Sequence, residues 1–355
     1  MNTLQTRVTR LMGLPQGPFA WGLSVAGLVL MAWLSWHVLD WALWRAVFRP
    51  DAQACQALQH EGACWGVVAE KFRPMVLGHY PYAEQWRPLM ALGALLLACL
   101  ALAWAGWQRA LSGWGLAVWP TWLLLSTGLM RGGFAGLTLV PFDAWGGLPL
   151  TLWLFGLSLL VSVPLAIALA LARRARAAWL SWPATVVIEG IRGVPLVTLL
   201  FMAAFMLPML LPPERPMPLV WRASLALILF SAAYLAEVVR AGLQTVPGEQ
   251  QEAAAILGLK WWAIQRRVVL PQALRAVLPA LVGHAIGLLK DSSLVLVVGL
   301  HELTGGLSLS LGGDPVWRPF YLEAYLAVGL IYAVMCLSLS RVGRHLEAVW
   351  AKGQH

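Results

Sequence analysis

Apolar runs as long as a bilayer is thick recur along this chain, and they restrict its fold more than any short motif. A helix needs roughly 20 predominantly apolar residues to cross the hydrocarbon core. PLTLWLFGLSLLVSVPLAIALAL, residues 149–171, passes that length, and others approach it. With 60% of its residues hydrophobic and 12% charged, the chain holds more apolar sequence than a soluble core needs. In lipid the backbone must satisfy its own hydrogen bonds, in helices or in a closed barrel. The short alternating strands of a barrel are absent. The sequence therefore predicts an all-α integral membrane protein.

Eight spans are expected, at about 19–43, 89–107, 114–131, 149–171, 194–212, 219–239, 273–299 and 321–341. The first three form an amino-terminal membrane region, 1–131, which includes a polar segment at about 49–88. The last five form a core over 149–345. An even number of spans puts both termini on one side, and Lys and Arg decide which. With cytoplasmic termini, fifteen of the 25 basic residues fall inside, nine outside, and Lys290 within a span. The expectation is a bacterial inner-membrane, multi-pass protein with both termini cytoplasmic. The net charge of +9 is then topology and not nucleic-acid binding, since the arginines are scattered through short loops. The first span is too long, and lacks a small-residue cleavage site, to be a removed signal peptide.

Cysteine use agrees with that orientation. Cys55 and Cys64 both fall in the outside segment, in CQALQHEGAC, whereas Cys99 and Cys336 fall inside spans. Two thiols close in sequence on an oxidising face point to a disulfide, with two unpaired buried thiols as the alternative.

Between two spans stands EAAAILGLKWWAIQRRVVLP, residues 252–271. Pro247 breaks the preceding span, and Glu249 and Glu252 suit the first turns of a new helix. A helix is expected over 249–257. Gly258 is its natural stop, because glycine accepts the left-handed conformation of a helix end. A second short helix is expected over 259–269, with Leu259, Trp262, Ala263 and Arg266 on one side and Pro271 ending it. An amphipathic cytoplasmic loop of no special role is the bland reading.

The spelling resembles the EAA loop of ABC importer permeases: Glu-Ala-Ala, three residues, Gly, nine residues, then Ile-x-Leu-Pro. Glu252, Ala253, Ala254 and Gly258 match, and Val268, Val269, Leu270 and Pro271 follow with Val for Ile. EGIRGVPL at 189–196, AEVVRAGLQTVPGEQ at 236–250, LPQALRAVLPA at 270–280 and LLKDSSLV at 288–295 resemble the polar-amino-acid branch. CQALQHEGACWGVVAEKFRPMVLGHYP, 55–81, resembles the outside segment of general L-amino-acid permeases. The resemblance implies a type I ABC importer transmembrane domain of about eight helices, with a five-helix core and a cytoplasmic coupling helix in the loop 245–271. It implies ATP-driven import of amino acids from periplasm to cytoplasm by alternating access. The implied partners are a homologous permease chain, an ABC ATPase dimer that binds ATP and Mg, and a periplasmic amino-acid-binding protein. The coupling residues carried over are Glu252, Ala253, Ala254, Gly258, Leu259, Trp262 and Arg266.

No catalytic site is expected in this chain, nor a cofactor or metal of its own. It has no G-x-x-x-x-G-K-[ST] phosphate loop. HELTG at 301–305 lacks the second histidine of a zinc-protease helix, and no G-x-S-x-G elbow occurs.

An amino acid carries an ammonium and a carboxylate, so its passage needs polar groups at membrane depth. Each costs on the order of 2.5–3.5 kcal/mol per charge on insertion scales, which makes each a functional candidate. On span seven, Gly283, His284, Gly287, Lys290 and Asp291 fall on one stripe, and Ser293 lies just outside it. Lys290 is expected to meet a carboxylate and Asp291 an ammonium; inter-helix salt bridges or capping are the structural alternatives. Glu237 and Arg240, three apart on span six, read more simply as a local pair, with Tyr234 one turn away on the same path. Glu189 and Arg192 have the same spacing, and Gly193 and Pro195 suggest a bend or helix entry. The 21 tryptophans are expected mostly in interfacial belts. An ion-coupled secondary transporter is the competing class, but no internal repeat supports it and the 252–271 pattern has no role in it.

Overall fold

The computed structural model describes residues 18–58, 61–107, 114–212, 214 and 216–352. Arg7, Arg10, Arg109 and Arg215 of the charge count lie outside these residues. Among the described residues the chain is helical, with no strand and two isolated bridges, Val47 with Cys64 and Gly147 with Glu302. A helix stands at each of the eight expected spans. Five are long and apolar enough to cross a membrane: Pro18–Trp44, Gly147–Arg173, Leu219–Thr245, Leu278–Val298 and Arg318–Ala348. Two more, Trp86–Trp107 and Trp114–Arg131, occupy the second and third expected positions.

The helices used below are α1 (Gly147–Arg173), α2 (Ala178–Arg192), α3 (Leu219–Thr245), α4 (Gly248–Ile256), α5 (Leu278–Asp291), α6 (Leu303–Gly312) and α7 (Tyr321–Lys352).

The chain divides into two compact units. In the smaller, spanning 18–70 and 316–324, Cys55 and Cys64 form a disulfide with Cα atoms 5.4 Å apart. Asp51 caps the short helix Ala52–Ala57, accepting from the Gln53 and Ala54 amides. The Cys64 amide donates to Glu323 Oε1 at 3.0 Å, so a buried carboxylate holds the cystine loop.

In the larger unit α1 and α3 run parallel. Ser162 meets Ser231, and further along Arg174 donates to the Leu243 carbonyl. Two adjacent parallel crossings require a return crossing between them. That return is made by Leu196–Leu210, which meets α2 at a bend of 104°. The bend lies near Arg173, through Glu189 at the end of α2, and the return ends near the start of α3, where Arg222 donates to the Ala204 carbonyl. The bend falls at Gly193–Pro195, as expected. A residue before proline is driven from helical geometry, and Pro195 takes ψ 143°. The helical stretch Leu196–Leu210 stands at the expected span 194–212, and α2 precedes it as a separate helix.

Around the starts of α1 and α3 the core is aromatic. Trp145 and Trp153 are almost wholly buried and pack edge-on at 5.7 Å, with Phe142 and Trp221 against them. These tryptophans depart from the expected belt because they fill the space between parallel helices.

Candidate functional site

The loop after α3 has the shape its sequence prescribes, with one correction. Gly258 takes φ +81°. Its amide donates to the Ala255 carbonyl at 2.9 Å and the Leu259 amide to the Ala254 carbonyl at 3.2 Å. That pair of bonds is the Schellman ending of α4, which satisfies carbonyls the helix would orphan. Ala254 and Leu259 turn inward and pack with Ala170, Val239, Leu243, Ile264, Val269 and Ala273. They moor the loop to α1 and α3. Glu252, Ala253, Trp262 and Arg266 are exposed, so Leu259 does not share their side. Ile256 is 87% exposed and Leu257 81%, with the Trp261 and Trp262 rings 4.7 Å apart beside them. An apolar knob stands out from a moored loop, and such exposed patches mark docking surfaces.

Pro271 does not end the second helix. The helical path runs from Trp261 through a wide π turn at Gln265–Val269 to Ala276, and breaks at Val277. The wide turn supplies the slack that a proline ring and its missing amide demand.

The two pairs read separately on the sequence, Glu189 with Arg192 and Glu237 with Arg240, form one cluster joined by Arg173. The Arg173 guanidinium donates to Glu237 Oε1 and, at 2.8 Å, to Glu189 Oε1. Arg240 Nε donates to Glu237 Oε2 at 2.9 Å. Arg192 Nη1 lies 3.7 Å from Glu189 and 4.0 Å from Glu237, and its guanidinium sits 5.5 Å from the Tyr234 ring centre. Three helices, α1, α2 and α3, are tied at this point. Arg173 was missed because it reads as an ordinary basic residue at a span end; its place at the end of α1 was the available signal.

His284 leaves the stripe and enters the α1–α3 seam. Its Nε2 lies 2.8 Å from Ser231 Oγ, which donates to Ser162 Oγ at 3.0 Å; Ser162 in turn donates to the Leu159 carbonyl. The three side chains form one polar chain across the seam. A Cβ placed on Gly283 or Gly287 would meet nothing within 4 Å, so that side of α5 is open. Lys290 is exposed and Asp291 half-buried, and among the described residues neither enters a salt bridge. The inter-helix alternative is thereby removed within this chain. Ser293 Oγ donates to the Lys290 carbonyl at 2.7 Å.

At the other end of α1 lies a carboxylate that belongs to none of the sequence patterns above. Glu302 is fully buried and caps α6, accepting from the Thr304 and Gly305 amides at 3.0 Å and from the Tyr332 hydroxyl at 2.8 Å. Thr151 Oγ1 lies 3.2 Å away. Burial pushes the Glu302 carboxyl above its usual range, against these donors. Beside it the His79 and His301 rings meet at 4.8 Å. Burial, then His79, holds His301 below the usual imidazole range.

Residues 162–351 match the family described as binding-protein-dependent transport system inner membrane component. The chain is 37% identical to the inner membrane amino-acid ABC transporter permease protein YhdY of Escherichia coli, over 91% of this chain and 88% of that protein. It is 32% identical to the glutamate/glutamine/aspartate/asparagine transport system permease protein BztC of Rhodobacter capsulatus, over 93% of this chain and 90% of that one. A crystal structure of an amino acid ABC transporter with histidines aligns at a TM-score of 0.50 and 33% identity, over 57% of this chain and 91% of that chain.

Proposed function

Because the chain belongs to the binding-protein-dependent transport system inner membrane components, we propose that its exposed elbow receives the work of ATP hydrolysis and that its seam of polar helices guides an amino acid. The chain is an amino-acid permease subunit of an ABC importer in the inner membrane, working with ATPase subunits and a substrate-binding protein. The observation that carries this is the 37% identity to an amino-acid permease over nearly the whole chain.

The finer reading is ours. Both termini are cytoplasmic, and so is the loop from Gly248 to Pro271. Ile256, Leu257, Trp261 and Trp262 enter a cleft of the ATPase, while Ala254 and Leu259 transmit its movement to α1 and α3. Glu252, Ala253 and Arg266 flank the contact. ATP and Mg belong to the partner ATPase, and this chain performs no chemical step. A homologous permease chain completes the passage, facing the open side of Gly283 and Gly287. Within it Lys290 and Asp291 meet the carboxylate and ammonium of the solute, with His284, Ser293, Tyr234 and Glu237 along the same path. The two docked states must differ in affinity for solute and nucleotide, or hydrolysis would move nothing.

The test is made at Gly258. A side chain there has room, since nothing lies within 4 Å of a built Cβ, but the φ of +81° is strained for any L residue. We expect Gly258→Val in the reconstituted transporter to keep ATP turnover while uptake falls tenfold or more. Tight coupling in that variant overturns the role given to the elbow. Uptake that follows a proton or sodium gradient, and not ATP, overturns the reading of function itself.

A further inference from the structure

The cluster at the end of α1 has an odd number of charges. Arg173, Arg192 and Arg240 face two carboxylates, Glu189 and Glu237. The four well-made contacts go to Arg173 and Arg240, at 2.8–2.9 Å or shorter. These two arginines and two glutamates are already neutral as a set. Arg192 is the remainder. Its two approaches, 3.7 and 4.0 Å, are ion-pair distances beyond hydrogen-bond length. Among the described residues it donates no hydrogen bond, and its Nε is buried without a partner. An unpartnered buried N–H of a charged group is costly, and such a group calls for an acceptor.

We propose that Arg192 binds the carboxylate of the transported amino acid at the cytoplasmic end of its path, after Lys290 has released it, an assignment that rests on the amino-acid reading above. A guanidinium offers a planar fork of donors matched to a carboxylate. Here the Tyr234 ring, 5.5 Å away, forms one wall of its surroundings, and a third of the Arg192 side chain is open. The glutamates hold the fork without consuming it. The solute displaces weak contacts, and their return displaces the solute. Arg192 also ends α2 immediately before the 104° bend, so occupancy is sensed where the chain turns.

The assembled transporter in nanodiscs, without binding protein, is titrated with the L-amino acid it imports and with the same amino acid as its carboxamide. The unaltered complex is expected to favour the acid at least tenfold. Arg192→Gln should bring that ratio near one. Arg192→Lys, which keeps a point charge and loses the fork, should leave a ratio of a few-fold. Glu189→Gln removes a competing carboxylate and should tighten binding of the acid severalfold, the opposite sign from any loss of support. Retention of the tenfold ratio in Arg192→Gln overturns the proposal. So does weakened binding in Glu189→Gln, which is what a purely structural cluster gives. Loss of the partner permease chain in Arg192→Gln would assign the guanidinium to a subunit contact instead and overturn it too. If Arg192→Gln does not assemble while its partners still do in the other variants, the Lys and Glu189 arms decide. An unaltered complex that imports no amino acid removes the functional reading and this inference together; one that imports them while the ratio survives Arg192→Gln removes the inference alone.

Discussion

The two ends of α1 are closed by opposite chemistry. At the Thr151 end a single carboxylate, Glu302, is fully buried, has no counter-charge in its hydrogen-bond shell, and is satisfied by two amides and two hydroxyls. At the Arg173 end five charged side chains share a partly open site, with exposures from 17% to 52%. Around the first end, glycines bring backbones together: a Cβ on Gly147 would stand 2.1 Å from the Val76 carbonyl oxygen, and one on Gly306 2.9 Å from that of Pro74. At the second, α2 has no such contact, since a Cβ on Gly190 would meet nothing, and the close approach there is that of α3 at Gly242, where a Cβ would stand 2.5 Å from the Ala273 carbonyl oxygen. Hydrogen bonds with fixed directions and touching backbones make a joint that keeps one geometry. Long ionic side chains in part-open surroundings make one that can be undone. A lever needs both, a fixed end and a free one.

That contrast can be broken most forcefully at Glu302. Glu302→Ala leaves the α6 amides and the Tyr332 hydroxyl without an acceptor, and we expect a loss of about 3 kcal/mol or more, each unmet buried group costing roughly 1–3. The measurement is denaturant unfolding in micelles; a loss below that of the next variant would reverse the assignment of the rigid end. Second is Glu237→Gln, which leaves Arg240 without its carboxylate. Because the site is partly open the expected loss is smaller, about 1–2 kcal/mol, with uptake falling further than stability. Equal losses of both would make the free end merely structural.

The pH profile sharpens the comparison at lower amplitude. His301, held below the usual imidazole value of 6.5, contributes stability that is present above that value and is lost as pH falls through its folded pKa. Glu302, raised from 4.5, works the other way: its contribution is present below that value and lost as pH rises through its folded pKa. On going from pH 7 downward the thermal midpoint should therefore lose less in His301→Gln than in the unaltered protein, with Glu302 acting in the opposite sense in both. A slope unchanged in that variant would place the titration elsewhere. The smallest effect is that of salt. Raising it from 0.05 to about 0.5 M should screen the Arg173 end by a few tenths of a kcal/mol and leave the Thr151 end untouched; crosslinks placed across each end read the two separately.

Much of this was legible in the sequence because the bilayer is a severe reader. Each span shows as a run of apolar residues, and the Gly258 ending and the Gly193–Pro195 bend show as residues that few other positions would favour. What escaped notice were groups whose meaning depends on a distant neighbour. Glu302 caps α6 through its own neighbours Thr304 and Gly305, but the shell that buries it comes from Thr151, 151 residues away, and Tyr332. Arg173 looked like any basic span end. The π turn at Gln265–Val269 has no spelling of its own, so Pro271 looked like a stop. Ser162 and Ser231 were hidden in apolar runs, and without them His284 could be placed on a stripe but not given its partners.

The bend before Leu196 has a consequence for the bilayer. The helical stretch Leu196–Leu210 that follows it has 15 residues. At 1.5 Å per residue that is about 22 Å, short of the roughly 30 Å of hydrocarbon. A helix that short is accommodated by local thinning of the bilayer or by neighbouring helices that shelter its ends.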